Sequence, residues 1–109
     1  MVTEKLGEHL VVYLNGEIDH CCVDGLRRKI EACLRDQSIR RLTMDFSRVS
    51  FMDSSGIGML IGRYKTMTER EGHVFARGMN SSVERIFRMA GLHKIISVHE
   101  SEVGKDDEK

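Results

Sequence analysis

Two adjacent serines, flanked by an acid and a glycine, form the part of this sequence best suited to chemistry. They lie in the run 50–58, Ser-Phe-Met-Asp-Ser-Ser-Gly-Ile-Gly, between a predicted strand and a predicted helix. The first amides of a helix have no partner inside it and point outward at the positive end of the helix dipole. A phosphate on Ser54 or Ser55 would meet those amides, so a serine here could be phosphorylated without unfolding the domain.

The same residues also have a purely structural interpretation. Asp53, Ser54 and Ser55 all belong to residue types favoured at the N-cap of a helix. We expect Ser54 to be that cap, with its oxygen occupied by a backbone amide and therefore less reactive. We expect Gly56 to let a partner protein or a nucleotide approach the backbone closely.

Catalytic motifs are missing from the chain. There is no Gly-x-x-x-x-Gly-Lys-Ser/Thr loop for phosphates and no Gly-x-Ser-x-Gly nucleophile elbow. No histidine is singled out as a base for either serine, and no pair of catalytic acids can be identified. Glu17 and Asp19 follow the first predicted strand as in a receiver domain, but the lysine that such a domain needs after a later strand is missing. We therefore expect no enzyme activity and no cofactor.

The three cysteines indicate free thiols rather than a disulfide framework or a metal site. Their number is odd, and Cys21 and Cys22 are adjacent, which is poor geometry for a disulfide. The run His20-Cys21-Cys22 lacks the usual spacing of zinc ligands, and no second Cys/His pair follows it. The sequence therefore predicts no metal and a reducing compartment.

Composition limits the partners and the location. The chain has 109 residues, with 17 basic and 17 acidic side chains, so it has no charge footprint for nucleic acid or an anionic membrane. No apolar run approaches the ~20 residues needed to cross a bilayer, and the N-terminus does not resemble a signal peptide. We expect a cytoplasmic protein, monomeric when free.

Hydrophobic periodicity predicts alternating strands and helices. Strands are predicted at 9–14, 41–46, 73–78 and 95–98, and helices at 24–36, 56–69 and 81–90. The expected fold is α/β, a small, mainly parallel sheet with helices packed mostly on one face. The predicted domain spans 1–103, and the charged tail 104–109 is predicted to be disordered.

Several details of the elements can be predicted as well. Asn15-Gly16 should end the first strand in a turn, and Gly91 should end the 81–90 helix. Ser81 and Glu84 have the spacing of a capping box. Four side chains form the predicted apolar face of the 56–69 helix: Ile57, Leu60, Ile61 and Tyr64. Leu60 and, in the 81–90 helix, Phe87 should be buried. Gly58 and Gly62 are expected to mark close approach to a neighbouring backbone.

The segments 51–58 and 62–65 resemble the anti-sigma factor antagonists of the STAS domain family, most closely those of sporulation. Further matching pieces are 14–20, 81–87 and 89–96, and the resemblance runs from about residue 7 to residue 100. One departure is the end of the chain, 101–109, which has a single apolar residue where family members usually have an amphipathic helix. The last helix should therefore be shortened or absent.

This resemblance implies a switch between partners. An anti-sigma factor that is also a serine kinase binds the unphosphorylated antagonist and releases its sigma factor, expected to be sigma F. The kinase then uses ATP to phosphorylate the second serine of the motif, here Ser55, and a serine phosphatase reverses the modification. The resemblance places Asp19, Asp53, Ser54, Ser55 and Gly56 at the partner surface.

Three alternatives remain at this stage. The antagonist could serve a general-stress sigma factor, which neighbouring genes would reveal. It could be a non-phosphorylated STAS subunit of a transporter or lipid-trafficking complex, for which Ser55 would be unnecessary. A nucleotide-binding domain or small enzyme is the third, and titration with ATP and GTP would test it.

Overall fold

The computed structural model describes residues 1–99 as a five-stranded sheet with three α-helices. The strands are β1 (Val2–Leu6), β2 (His9–Ile18), β3 (Arg41–Met52), β4 (His73–Arg77) and β5 (Ser97–His99). The helices are α1 (Val23–Cys33), α2 (Ser54–Glu69) and α3 (Ser81–Met89), and a 3-10 turn (Leu92–Lys94) follows α3.

The sheet is parallel except at one edge. The strand order is β1-β2-β3-β4-β5, and only β1 runs antiparallel to its neighbour. The crossovers through α1, α2 and α3 all advance in the same direction along the sheet. Right-handed crossovers that advance one way put their helices on one face. The predicted fold class, α/β with a mainly parallel sheet, is confirmed.

The core lies between the helices and one face of the sheet. Alternate residues of β2 and β3 supply much of this layer, including Val12 and Met44, which are completely buried. Leu60 of α2 and Phe87 of α3 are each 0% exposed, as their helical spacing predicted. Replacing such side chains with alanine typically costs about 2–5 kcal/mol, so these two positions anchor their helices.

The strands differ from the prediction most at β1, β2 and β3, and β5 also begins two residues later than predicted. β2 does not turn at Asn15-Gly16 but continues to Ile18. Its pairing with β3 shifts in register on either side of these two residues, and the strand continues through them. β3 extends to Met52, directly before the serine pair. β1 was not predicted, because all five of its residues are exposed and leave no burial pattern in the sequence.

The start of α3 also differs from the prediction. Its N-cap is Asn80, whose Oδ1 accepts a hydrogen bond of 2.8 Å from the Val83 amide. The capping box expected for Ser81 and Glu84 is therefore wrong, and the Glu84 carboxylate instead pairs with Arg88 at 2.7 Å. At the other end, Gly91 adopts a left-handed φ of 80° after the helix, which confirms the predicted stop.

The buried face of α2 is rotated from the predicted one. Met59, Leu60, Arg63 and Met67 are buried, whereas the other three predicted side chains are half-buried and pack against the edge of the core. A Cβ added at Gly58 or Gly62 would meet no atom within 4 Å. The expected close backbone approach at these glycines is therefore wrong.

Some expectations concern residues beyond the described range. The disordered tail at 104–109 and the shortened last helix at 101–109 both lie outside residues 1–99. Within residues 1–99, no helix combines the length and the apolar character that a membrane span requires.

Candidate functional site

The serine pair lies where two neighbouring parallel strands end. Ile18 at the end of β2 is the register partner of Met52 at the end of β3. The Asp53 amide donates a hydrogen bond of 3.1 Å to the Ile18 carbonyl, which closes this end of the pairing. Asp19 and Asp53 therefore follow adjacent strand ends, as a parallel sheet predicts.

Asp53, rather than Ser54, is the N-cap of α2. Its backbone is extended, and its Oδ1 accepts a hydrogen bond of 2.8 Å from the Ser55 amide. Ser54 and Ser55 are the first two residues of the helix. The expectation that Ser54 caps the helix is wrong, because an acceptor one residue earlier reaches the free amide. Capping therefore gives no reason for Ser54 to be the less reactive serine.

The Asp53 carboxylate is held in its charged form. Burial raises its pKa, but hydrogen bonds from Ser55 and the proximity of His20 outweigh burial, and the net pKa lies below the ordinary value. The His20 Nδ1 atom lies 3.9 Å from Asp53 Oδ2. Negative charge is thus fixed beside the helix start that carries the two serines.

Asp19 organises the loop between β2 and α1. Its Oδ1 accepts hydrogen bonds from the Cys21 amide at 3.0 Å and the Cys22 amide at 3.2 Å. Its main-chain carbonyl accepts from the amides of Cys22 and Val23, at the start of α1. One carboxylate oxygen therefore has a structural role, and Asp19 is only half-buried.

Gly56 is buried for an internal reason. A Cβ at this position would lie 2.5 Å from Met52 Cγ and 3.1 Å from Ile18 Cγ2. The missing side chain therefore allows α2 to pack on the ends of β2 and β3. It does not open the backbone to a partner or a nucleotide, so the expected reason for this glycine is wrong.

The two serines face different surroundings. Ser54 is exposed, whereas Ser55 is half-buried. Ser54 lines an open apolar groove of about 390 Å³ between α2 and α3, and Met89 on the rim of this groove is 77% exposed. Ser55 is tied through its amide to Asp53, which faces the β2–α1 loop. The other groove residues are Ile57, Ile86 and Ala90.

Sequence reasoning missed two parts of this surface. It gave His20 no role beside Asp53, because the pairing of β2 with β3 rather than sequence proximity brings them together. It also missed the groove, although Met89 is an apolar residue outside the predicted stripe of α3 and could have drawn attention. That stripe comprises Val83, Ile86, Phe87 and Ala90. Residues 1–99 contain no cluster of three His, Cys, Asp or Glu side chains suited to hold a metal.

Comparisons with known proteins identify the family of this fold and site. The STAS domain model matches residues 1–104. The anti-sigma F factor antagonist of Paenibacillus polymyxa is 33% identical over 94 residues, which cover 86% of this chain and 80% of that protein. The anti-sigma-B factor antagonist of Listeria monocytogenes is 28% identical over 97 residues, covering 89% of this chain and 84% of that one.

A solved structure agrees with these relatives. The Bacillus cell fate determinant SpoIIAA in its phosphorylated form superimposes with a TM-score of 0.72 at 28% identity, covering 99% of this chain and 98% of that chain. The chain belongs to the STAS domain family and, within it, to the anti-sigma factor antagonists. Such antagonists are non-enzymatic regulators, which confirms the expectation that this chain is not an enzyme.

Proposed function

We propose that this antagonist is switched off by phosphorylation of Ser55. In its unphosphorylated form it binds an anti-sigma factor that is also a serine kinase, and this binding releases the sigma factor. The kinase transfers the γ-phosphoryl group of ATP to the Ser55 hydroxyl, and a serine phosphatase restores the active form. The proposal assigns the protein to the cytoplasm, where these partners and ATP would be.

The observation that carries this proposal is the position of Ser55 at the second residue of α2, beside the ionised Asp53. A phosphate there adds a charge of about −1.5 to −2 to a surface that already carries a carboxylate. The phosphate would lie at the positive end of the α2 dipole, so the fold is kept while the surface seen by a partner changes. The Bacillus relative is known in a phosphorylated form, which supports regulation by phosphorylation.

The partner surface in this proposal comprises Asp19, Asp53, Ser54, Ser55 and Gly56. The first two are half-buried carboxylates at adjacent strand ends, and Ser54 is exposed on the groove side. Gly56 contributes by keeping α2 close to the sheet rather than by direct contact. Carboxylates in such a surface suit a partner with complementary basic groups.

We further propose that the controlled factor is sigma F. The Paenibacillus sigma F relative is 33% identical, compared with 28% for the Listeria sigma-B relative. Binding assays with the kinases of both pathways test this choice. Preference for the general-stress kinase would reverse it, and stable insertion into a transporter complex without phosphorylation would favour the other alternative.

Binding of Ser55 variants to the kinase tests the switch. Ser55→Ala should bind like wild type and stay bound after incubation with ATP. Ser55→Asp should bind at least about tenfold more weakly, equivalent to about 1.4 kcal/mol, although one carboxylate imitates a dianion only in part. Ser54→Asp is the matched control, and equal weakening by both aspartates would contradict the assignment to Ser55.

Asp19→Asn tests the carboxylate contribution separately. Asparagine keeps the Oδ1 acceptor used by the Cys21 and Cys22 amides, so the loop and the melting temperature should change little. Loss of the charge should weaken kinase binding. Equal affinity of Asp19→Asn and wild type would remove Asp19 from the partner surface.

A further inference from the structure

Three side chains from two parts of the chain form a connected set beside the serine pair. The Cys21 thiol lies 3.7 Å from His20 Nε2, and His20 Nδ1 lies 3.9 Å from Asp53 Oδ2. The other Asp53 oxygen accepts the Ser55 amide at 2.8 Å. Cys21 and His20 are both exposed, so the thiol is open to small molecules in solution.

This order, thiol, imidazole and carboxylate, is the arrangement that activates a nucleophile. The Asp53 charge lies 3.9 Å from His20 Nδ1, beyond hydrogen-bond distance, and favours the proton on Nδ1 through electrostatics alone. Nε2 is then free to accept the thiol proton. We propose that Cys21 is a modification site for low-molecular-weight disulfides, with His20 as its base and Asp53 as the residue that orients His20.

The reaction is a thiol–disulfide exchange. The Cys21 sulfur attacks one sulfur of the disulfide, a new sulfur–sulfur bond forms and the original one breaks. The leaving thiolate takes the electron pair of the broken bond and the proton held by His20. Cys21 is oxidised to a mixed disulfide, one half of the reagent is reduced to a thiol, and a thiol reductant reverses the change.

The other two cysteines are placed less favourably. The Cys22 thiol donates a hydrogen bond of 3.0 Å to the Glu17 carbonyl, and Cys33 is partly buried against the core. Cys22 is also unsuited to displace the adduct from Cys21. Adjacent Cα atoms are about 3.8 Å apart, whereas disulfides usually require about 4.4–6.8 Å. The mixed disulfide should therefore persist until a reductant removes it.

An adduct on Cys21 would change the proposed partner surface, and this step rests on the proposed function. The Cys21 amide is bound by the Asp19 carboxylate, and the Cys21 thiol is linked through His20 to Asp53. Glutathione is one such reagent, and its tripeptide on Cys21 would lie beside the start of α2 and cover it. Oxidation would thus block kinase binding in a second way, independent of phosphate on Ser55.

Reaction with oxidised glutathione tests the thiol chemistry without any partner. Peptide mapping by mass spectrometry should find the adduct on Cys21, forming about fivefold faster than on Cys22 or Cys33. His20→Gln should lower the Cys21 rate to about that of Cys22. His73→Gln, at an exposed histidine that pairs with the opposite end of β3, should leave the rate unchanged. Equal labelling of Cys21 and Cys22, or an unchanged rate in His20→Gln, would overturn the proposal.

Kinase binding of the glutathione-treated protein tests the consequence. Treated wild type should bind at least about tenfold more weakly than untreated protein, reduction should restore binding, and treated Cys21→Ser should bind normally. If untreated protein binds and the Cys21 adduct binds equally well, the regulatory part of this inference is wrong. If untreated protein binds no anti-sigma kinase, the proposed function fails, whereas the labelling experiment still decides the reactivity of Cys21.

Discussion

Asp53 connects the fold and the proposed switch at the scale of single residues. It caps α2, carries a fixed negative charge and lies beside both Ser55 and His20. Its effects on stability and on partner binding must therefore be separated by experiment. Denaturation of the free protein reports only the first, and kinase binding reports the second.

Asp53→Ala should lower the free energy of unfolding by about 0.5–2 kcal/mol, because the Ser55 amide loses its acceptor. Ser54→Ala is the matched control and should change it by less than about 0.5 kcal/mol, since the Ser54 side chain caps nothing. Urea denaturation of both variants measures the difference. A loss in Ser54→Ala as large as that in Asp53→Ala would contradict the observed cap.

The sequence could identify this group of residues but not divide the roles within it. Aspartate and serine are both good N-caps, so residue type could not choose among three adjacent candidates, and the expected cap was wrong by one residue. The exact end of β3 decides which of these side chains accepts a hydrogen bond from a free amide in the first turn of α2. The nearness of His20 to Asp53 depends on the β2–β3 register, which residue types alone do not specify.

At the scale of elements, two glycines of α2 should respond oppositely to alanine. Gly56→Ala would bring a Cβ to 2.5 Å from Met52 Cγ and should destabilise the protein by about 1–3 kcal/mol. Gly58→Ala meets no atom within 4 Å and should stabilise by up to about 1 kcal/mol through helix propensity. Thermal denaturation compares them, and equal effects would contradict the packing described for α2.

The contact between α1 and α2 includes an ion pair that can be tested by a double-mutant cycle. Arg63 is 5% exposed, and its Nη2 donates to Glu31 Oε2 at 2.8 Å. Its Nε and Nη1 atoms make no hydrogen bond within residues 1–99. Glu31→Ala should cost about 1–3 kcal/mol, because it leaves the buried guanidinium without its acceptor.

The same Glu31→Ala change should cost less than about 0.5 kcal/mol in an Arg63→Met background, where the buried guanidinium is absent. Chemical denaturation of the four proteins gives the coupling energy. Additive losses would show that Glu31 and Arg63 act independently. Arg63 also shows why the predicted face of α2 was incomplete. Its four side chains do pack in or against the core, but an arginine in an apolar pattern is normally assigned to the surface.

At the scale of the whole molecule, the alternation of strands and helices was enough to predict the fold class. The antiparallel edge strand β1 was not predictable, because its residues have no buried face and are held by pairing with β2. The apolar groove beside Ser54 was equally hidden, since it forms only when α3 packs next to the start of α2. Both features arise from contacts between elements rather than from patterns within one.

Acid should destabilise the molecule through the helix-free face of the sheet. Asp45 is 8% exposed and accepts a hydrogen bond of 2.7 Å from Arg77 Nε. Burial raises the pKa of Asp45, but Arg77 and Ser47 outweigh it, and the net pKa lies below its ordinary value. A depressed folded pKa stabilises above about pH 4 and loses that contribution as pH falls further.

Unfolding free energy should therefore decrease as pH falls from about 4, and Asp45→Asn should show a smaller decrease over the same range. Urea denaturation at several pH values measures both slopes. The Asp45→Asn protein is expected to be less stable than wild type at neutral pH. The test is therefore the slope of unfolding free energy against pH, not the absolute stability. Identical slopes for the two proteins would show that Asp45 does not contribute to the acid sensitivity.

The proposed switch is tested most directly by mapping the modified residue. Wild type, Ser54→Ala and Ser55→Ala are incubated with the cognate anti-sigma kinase and ATP, and the products are analysed by mass spectrometry. We predict one phosphate on Ser55 in wild type and Ser54→Ala, and none in Ser55→Ala. Labelling of Ser54 in Ser55→Ala, together with no labelling of Ser54→Ala, would contradict the assignment to Ser55. Absence of labelling in all three proteins would contradict the switch itself.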